Sequence, residues 1–208
     1  MTEALMIDGG YEHVFEPARG DDPRTLVLLH GTGGDERAFM QLGRMVAPEA
    51  ARLSLRGDVD EHGMARFFRR LREGVYDMDD LARATEKLDR FLEEALPALG
   101  RDPAHAIGLG YSNGANMLAN LLFERPNRLR RMALFHPLIP WDAPDDPDIA
   151  HAKVLITAGE RDPICPPDLT RRFDAQLRAA GADVELLWHE GGHELREDEI
   201  RAARVFAS

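Results

Sequence analysis

Short apolar runs alternate with longer amphipathic stretches along almost the whole chain of 208 residues. Runs such as 25–30 (TLVLLH) and 105–110 (HAIGLG) have the length and the leucine-rich or β-branched composition of buried strands. The stretch 79–99 carries leucines on one side at helical spacing and begins with acidic residues, as an amphipathic helix does. This alternation predicts an α/β fold with a mostly parallel central sheet and helices on both of its faces.

The same patterns predict the remaining elements of a single domain over 1–208, with an edge strand near its beginning. Further strands are expected at 11–18, 51–57, 130–137, 152–162 and 182–193, and further helices at 34–46, 113–125, 166–181 and the C-terminal end. Between them lie a polar stretch at 57–78 and a loop rich in proline and aspartate that ends near residue 150.

Composition excludes several classes of partner. The net charge of −11 repels nucleic acid and anionic lipid. No apolar run reaches the about 20 residues that span a bilayer, so we expect no stable membrane insertion. The N-terminus has neither the basic nor the apolar region of a signal peptide, and the single cysteine, Cys165, forms no internal disulfide. A cytoplasmic location is therefore expected.

Ser112 lies in the sequence GLGYSNGAN, flanked at two residues' distance by Gly110 and Gly114. It follows a predicted strand and opens a predicted helix, which is the context of a nucleophile held on a sharp strand-to-helix turn. A serine hydroxyl is a poor nucleophile near neutral pH and needs a base to take its proton. We therefore identify Ser112 as the candidate nucleophile.

The partners of such a serine follow it in the chain, first a carboxylate and then a histidine. Asp162 and Glu160 both lie in the segment AGERDP, after the strand residues KVLIT at 153–157, and Asp162 ranks first because it lies further past the strand and precedes a proline. His189 is expected to end the last strand, whereas His193 follows a glycine-rich loop able to swing its ring over the sheet. The predicted triad is thus Ser112, Asp162 and His193.

Acyl transfer also needs N–H donors for the oxyanion, and the segment LHGTGG at 29–34 provides a glycine-rich turn after a strand. The expected donors are the backbone N–H groups of Thr32 and Asn113. His30 is then expected to support that turn and not to act as the base.

The segments LHGTGGDE, GYSNGAN, FHPLIP, GERDPICP and GGHEL together resemble the α/β-hydrolase fold, and more narrowly its small carboxylesterase and phospholipase branch. The likeness covers nearly the whole chain, and the run from Arg56 to Leu81 is similar to small bacterial hydrolases associated with quinone resistance. The resemblance implies that Ser112, Asp162 and His193 form the triad, with Thr32 and Asn113 at the oxyanion hole. Asn113 stands where acyl-protein thioesterases usually have glutamine, which weakens the analogy of substrate but retains the backbone donor.

Two segments are candidates for the substrate pocket. Met64, Phe67 and Phe68 form either a flap over the acyl or aryl group or, as we favour, the buried side of a solvated basic surface. His136, Leu138 and Trp141 follow the end of a strand and are expected to line the pocket.

The sequence therefore predicts a serine hydrolase that cleaves carboxylic esters through an acyl-enzyme intermediate. Thioesters and lysophospholipids are further candidates, but a chain too short for a large lid domain favours short acyl groups or small aryl esters. The alternatives are a non-catalytic protein that binds a small ligand on the same fold, and a lactone or dienelactone hydrolase. We expect no cofactor, and no metal, because the histidines lack metal-ligand spacing. Helices of this fold commonly pair, which allows a homodimer.

Overall fold

A seven-stranded sheet forms the centre of the protein, in the order β1-β3-β2-β8-β9-β10-β11. The structure of the protein is a computed structural model, which describes residues 10–145 and 147–208. The segment 1–9, where the sequence predicts no signal peptide, lies outside the described residues. The strands of the sheet are β1 (His13–Glu16), β2 (Thr25–Leu29), β3 (Ala51–Leu55), β8 (Ala106–Tyr111), β9 (Arg131–Phe135), β10 (Lys153–Gly159) and β11 (Asp183–His189).

All neighbouring strands in this sheet run parallel except β1, which pairs antiparallel with β3 at one edge. The predicted edge strand and the mostly parallel sheet are therefore confirmed. Because parallel strands end at the same edge, residues that follow β8, β9, β10 and β11 are brought side by side, although they lie far apart in the sequence.

In the part of the chain that the structure describes, five α-helices cover both faces of the sheet, as the alternating sequence predicts. They are α1 (Met40–Val46), α2 (Met78–Ala98), α3 (Asn113–Glu124), α4 (Pro167–Ala179) and α5 (Glu197–Phe206). Successive residues of a strand face opposite sides, so that Val27 and Leu29 pack in the core under α2, α3 and α4, whereas Leu26 and Leu28 pack in the core under α1 and α5. This two-sided burial explains why the strand sequences are continuously apolar.

Several predicted elements are longer than the observed ones, among them the strand predicted at 182–193, which ends at His189. The helix predicted at 34–46 begins only at Met40, because the preceding residues form turns, with the N–H of Ala38 bonded to the carbonyl of Asp35. The strands predicted at 51–57 and 152–162 end at Leu55 and Gly159. In each case the shortened part lies at the carboxyl edge of the sheet, where the chain must turn.

The polar stretch 57–78 folds into two small antiparallel hairpins that follow β3. Their strands are β4 (Val59–Glu61), β5 (Met64–Arg66), β6 (Arg70–Arg72) and β7 (Val75–Tyr76). Among the described residues no domain-sized lid is present. None of the described helices combines the length and the apolar character needed to cross a bilayer.

A substitution at Leu118 tests how tightly the core between α3 and the sheet is packed. Its side chain is fully buried, and the missing side chain of Gly108 leaves the space that it fills. We expect Leu118→Ala to lower the free energy of unfolding by about 2–5 kcal/mol, since a cavity adds to the lost burial. The measurement is urea denaturation, with Leu71→Ala as the control, because Leu71 is 73% exposed. Similar losses in both variants would contradict the assignment of this core.

Candidate active site

Ser112 sits on a strained turn between β8 and α3. Its backbone has φ 51° and ψ −113°, a conformation that costs energy for a residue other than glycine. Its N–H donates to the carbonyl of Phe135 at 2.9 Å, which fixes the turn against the neighbouring strand.

The two glycines of the motif allow close backbone contacts around this turn. A Cβ atom on Gly114 would lie 2.2 Å from the carbonyl oxygen of Leu29 in β2. A Cβ atom on Gly110 would lie 2.6 Å from the carbonyl oxygen of Gly114. Glycine is therefore required at both positions, and the sequence pattern G-x-S-x-G has a steric cause.

The structure brings together the three residues that the sequence selects as a triad. The Ser112 Oγ lies 3.0 Å from His193 Nε2, and His193 Nδ1 lies 2.7 Å from Asp162 Oδ2. Because the carboxylate only accepts, Nδ1 carries a proton and donates it, which leaves Nε2 free to accept from the serine hydroxyl. The chain of hydrogen bonds runs from the partly exposed serine to the buried carboxylate.

Asp162 is held by a turn at the end of β10. Its Oδ1 accepts from the N–H groups of Ile164 and Cys165 at 2.8 and 2.9 Å, as an aspartate before a proline commonly does. Burial alone would raise the pKa of Asp162, but hydrogen bonds from His136, His193 and these N–H groups hold it far below its usual value. The carboxylate is therefore ionised. Glu160, the other candidate, is exposed.

The loop that carries His193 is pinned in place. We expected a segment able to swing, but the N–H of Arg161 donates to the carbonyl of Gly191 at 3.0 Å. The Tyr111 hydroxyl donates to the carbonyl of His193 at 2.5 Å, and burial raises the pKa of Tyr111 to about 12, so the hydroxyl keeps its proton. A Cβ atom on Gly159 would lie 2.1 Å from the carbonyl oxygen of Gly192, so the loop packs directly on β10.

The expected oxyanion donors lie beside the serine. Thr32, Ser112 and Asn113 line one cavity. Within residues 10–145 and 147–208, neither the Thr32 nor the Asn113 backbone N–H has a backbone acceptor, and Asn113 is the first residue of α3. Both groups are thus free to bind a ligand oxygen.

His30 supports the turn before Thr32, as the sequence predicts. Its Nδ1 donates to the carbonyl of Gly31 at 2.6 Å, and its Nε2 accepts from the N–H of Gly57 at 3.0 Å. Burial lowers the pKa of His30, which keeps the ring neutral in this arrangement.

The cavity at Ser112 has a volume of about 270 Å³. It is lined by Thr32, Met64, Arg66, Arg70, Glu73, Tyr76, Tyr111, Ser112, Asn113, Asn116, Leu138, Ile164 and His193. The expectations for Met64 and Leu138 therefore agree with the structure.

Phe67, Phe68, Trp141 and His136 were the other candidates for the pocket, and none of them lines it. Phe67 and Phe68 are fully buried, in agreement with the favoured interpretation and not with a flap, and the Phe67 ring meets that of His30. Trp141 packs edge-on against Tyr76 and so lies one residue behind the cavity wall. His136 is fully buried behind the triad and contacts Asp162.

The sequence predicts a solvated basic surface for this segment, but the structure buries one of its arginines, Arg66, against the turn that carries Thr32. Its Nη1 donates to Thr32 Oγ1 at 2.6 Å and its Nε donates to the carbonyl of Phe68 at 3.2 Å. Arg70 instead forms ion pairs with Glu61 and Glu73. The stretch 57–78 therefore forms a wall of the cavity, and Arg66, Arg70 and Glu73 give that wall charged side chains.

Two asparagines in α3 bind the walls of the cavity, a role that the sequence analysis missed. Asn113 Oδ1 accepts from the N–H of Phe67 at 2.8 Å. Asn116 Oδ1 accepts from the N–H of Leu138 at 2.7 Å, and its Nδ2 donates to the Tyr76 hydroxyl at 3.0 Å. The one available signal is that both asparagines lie within the turn of helix that follows the serine.

A second ionic cluster lies behind Asp162. His136 Nδ1 is 2.9 Å from Asp162 Oδ2, and His136 Nε2 is 3.0 Å from Glu199 Oε1. Burial alone would lower the pKa of His136, but hydrogen bonds to these two carboxylates raise it to about 9. A ring that donates through both nitrogens has no lone pair for a metal ion, so this donor set fits an ion pair.

The sheet order and the strand-end site define an α/β-hydrolase of the small carboxylesterase type, and residues 68–202 match the model of the dienelactone hydrolase family. The chain belongs to that family. A protein of Bacillus subtilis (strain 168) named as a hydrolase, MhqD, is 41% identical over 193 residues, covering 93% of this chain and 96% of that protein.

Solved structures agree with this placement. The carboxylesterase of Bacillus cereus is 38% identical with a TM-score of 0.91, over 99% of this chain and 94% of that one. The protein Atu2452 of Agrobacterium tumefaciens str. C58, of unknown function, is 49% identical with a TM-score of 0.85, over 94% of this chain and 95% of that one. The chain is therefore a carboxylic ester hydrolase, and the alternative of a non-catalytic binding protein is disfavoured.

Gly114 tests the close contact beneath the serine. A methyl group there overlaps the backbone of Leu29 and His30, so the chain must shift. We expect Gly114→Ala to lower the free energy of unfolding by at least about 2 kcal/mol. Urea denaturation measures it, with Glu124→Ala on the exposed end of α3 as the control. An alanine variant as stable as wild type would contradict this contact.

The charged state of His136 makes stability depend on pH. Its pKa is raised from 6.5 to about 9 on folding. The stabilisation is therefore complete below about pH 6.5 and is lost as the pH rises through 9, at about 1.4 kcal/mol for each unit of pKa difference. We expect the free energy of unfolding of wild type to fall more steeply between pH 7 and 9.5 than that of His136→Asn. Denaturation curves across this range measure the difference, and parallel declines would contradict it.

Proposed function

We propose that the protein is a serine esterase in which Ser112 attacks the ester carbonyl. The observation that carries this proposal is the continuous pair of hydrogen bonds from Ser112 through His193 to the buried carboxylate of Asp162. Nucleophile, base and orienting group stand in the geometry that acyl transfer requires, and two free backbone N–H groups lie beside them.

In the first half of the reaction, the Ser112 oxygen forms a bond to the carbonyl carbon while His193 Nε2 takes the hydroxyl proton. Asp162 stabilises the imidazolium and fixes its orientation. The N–H groups of Thr32 and Asn113 bind the oxyanion, and each such donor contributes about 3–4 kcal/mol in comparable sites. The tetrahedral intermediate then collapses, the alcohol leaves with the proton from His193, and the acyl group remains on Ser112.

In the second half, water replaces the alcohol. His193 removes a proton from the water, whose oxygen attacks the acyl carbonyl under the same two N–H donors. The intermediate expels the Ser112 oxygen, which recovers its proton from His193. The products are the free carboxylic acid and the original enzyme, and none of these reaction steps needs a cofactor.

The cavity supports a small substrate. Its about 270 Å³ lies near the lower end of the about 300–1,000 Å³ typical of ligand sites. Hydrogen bonds to Asn113 and Asn116 hold two walls of the cavity in place, and this limits how far the cavity can widen. We propose short acyl esters or small aryl esters, ahead of thioesters and lysophospholipids.

Lactone hydrolysis is the second candidate, favoured by the match of residues 68–202 to the dienelactone hydrolase family. A lactone is an internal ester, so the same nucleophile opens it. Dienelactone hydrolases often have cysteine at the strand-to-helix turn, whereas this chain has Ser112 there. Its one cysteine, Cys165, is buried, and burial raises the pKa of its thiol, which keeps it unreactive.

The test is hydrolysis of p-nitrophenyl acetate, butyrate, octanoate and palmitate by wild type and Ser112→Ala. We expect turnover of the short esters and a loss of about 10³-fold or more in the variant, since the nucleophile is removed. A fluorophosphonate should add one covalent mass to wild type and none to Ser112→Ala. A parallel series of small lactones distinguishes the second candidate.

Ser208→Ala is the matched control, because Ser208 is exposed at the C-terminus and its hydroxyl donates to the carbonyl of Arg204, far from the candidate site. It should retain wild-type rates and labelling. Equal rates in wild type and Ser112→Ala, with both proteins folded by circular dichroism, would overturn the assignment of the nucleophile.

A further inference from the structure

Four adjacent strands of the sheet each place one side chain at the candidate site. Ser112 follows β8, His136 follows β9, Asp162 follows the turn after β10, and His193 follows the loop after β11. His136 has no part in the reaction described above. Its Nδ1 nevertheless lies 2.9 Å from Asp162 Oδ2, within hydrogen-bond distance and only slightly further than His193 Nδ1 at 2.7 Å.

The backbone of His136 is strained as that of Ser112 is. His136 has φ 51°, in the left-handed region that residues other than glycine rarely occupy. Such strain persists only where the surroundings impose it, and it concentrates at functional sites. The strained backbone turns the ring of His136 under the sheet edge, where it is fully buried.

Two carboxylates enclose the ring. Asp162 accepts from Nδ1, and Glu199 of α5 accepts from Nε2. Glu199 is itself held by the Thr157 hydroxyl at 2.6 Å and the N–H of Arg196 at 2.7 Å. Both carboxylates are ionised, because burial, which would raise the pKa of each, is outweighed by hydrogen bonds that lower it. His136 therefore donates twice and is a cation.

The other groups around this ring do not supply a competing negative charge. The His189 Nδ1 accepts from the N–H of Gly191, so its Nε2 carries the proton and points toward Glu199 at 3.4 Å. The titratable or charged groups that face His136 from the neighbouring elements are Tyr111, Asp162, Cys165, His189, His193 and Glu199.

We propose that His136 and Glu199 are positioning residues for the triad: His136, held as a cation by Glu199, fixes Asp162 toward His193 and opposes a second positive charge there. This proposal rests on the proposed function of Ser112 and His193. The His136 and His193 rings lie 5.1 Å apart between centroids and share one oxygen of Asp162.

The proposal predicts how the net charge beside His193 changes in two variants. Asp162, His136 and Glu199 carry a net charge of −1 beside His193, from two carboxylates and one imidazolium. His136→Asn leaves −2, which favours a proton on His193. The double variant His136→Asn with Glu199→Gln restores −1. Asparagine is chosen because it tolerates positive φ and retains an N–H donor toward Asp162.

The experiment is the pH dependence of kcat/KM on p-nitrophenyl butyrate from pH 4.5 to 9. In His136→Asn we expect the acidic limb of this profile, where kcat/KM falls as the pH is lowered, to move to higher pH by on the order of one unit. The plateau of the profile should fall by about tenfold or more, because the shorter, uncharged asparagine holds Asp162 less firmly than the imidazolium does. In the double variant the limb should return toward its wild-type position while the plateau stays low. A structural role alone would lower the plateau and leave the limb unmoved.

His105→Asn is the matched control, because His105 pairs with Asp102 at 3.2 Å on the exposed surface. It should leave both the limb and the plateau unchanged. An unmoved limb in His136→Asn, in an enzyme whose wild type is active and whose Ser112→Ala is not, overturns this proposal and leaves the esterase assignment intact. Inactive wild type overturns the esterase assignment, and the positioning role falls with it.

Nuclear magnetic resonance of histidine labelled with ¹⁵N in Ser112→Ala gives a readout without turnover. We expect both His136 nitrogens to be protonated at pH 7. The ring should lose a proton only near pH 9. A neutral His136 ring at pH 7 would overturn the proposal.

Discussion

The negative charge of Asp162 is buried at the carboxyl end of β10, and the geometry of the site depends on how that charge is compensated. Two backbone N–H groups bind one oxygen, and the rings of His136 and His193 bind the other. Burying a carboxylate without such partners would cost several kcal/mol. The carboxylate of Asp162 therefore fixes the tautomer of His193, and together with Glu199 it keeps His136 protonated.

Close backbone contacts at two glycines join the candidate site to the core, and no side chain would fit at either position. Gly114 lets α3 approach the backbone of β2, and Gly159 lets the His193 loop approach β10. These contacts set the distance between Ser112 and His193 directly from the spacing of the sheet. Backbone packing is rigid, so the hydrogen bond at 3.0 Å does not depend on a flexible loop. The strain at Ser112 is sustained by the same packing.

Much of the candidate site could be predicted from the sequence because its order along the chain follows from the fold. A serine after one strand, an aspartate after a later one and a histidine after the last must meet at one edge of a parallel sheet. For Phe67 and Phe68 the sequence left two interpretations open, a flap over the substrate and the favoured buried side of a basic surface. Their burial depends on how two short hairpins dock on Asn113, and strands of two or three residues have no periodicity that marks an inner face.

The alternation of strands and helices, the mostly parallel sheet, and the positions of Ser112, Asp162 and His193 after strand ends all follow from the amino-acid order. Local patterns suffice for these because they reflect burial and turning of the chain over a few residues. In contrast, the contact of Arg66 with Thr32 and the position of His136 between Asp162 and Glu199 become visible only in the folded chain. These pairs join residues that lie 26 to 63 positions apart in the sequence. Their charges are stabilised by partners that no local pattern specifies, because the partners meet only once the sheet has formed.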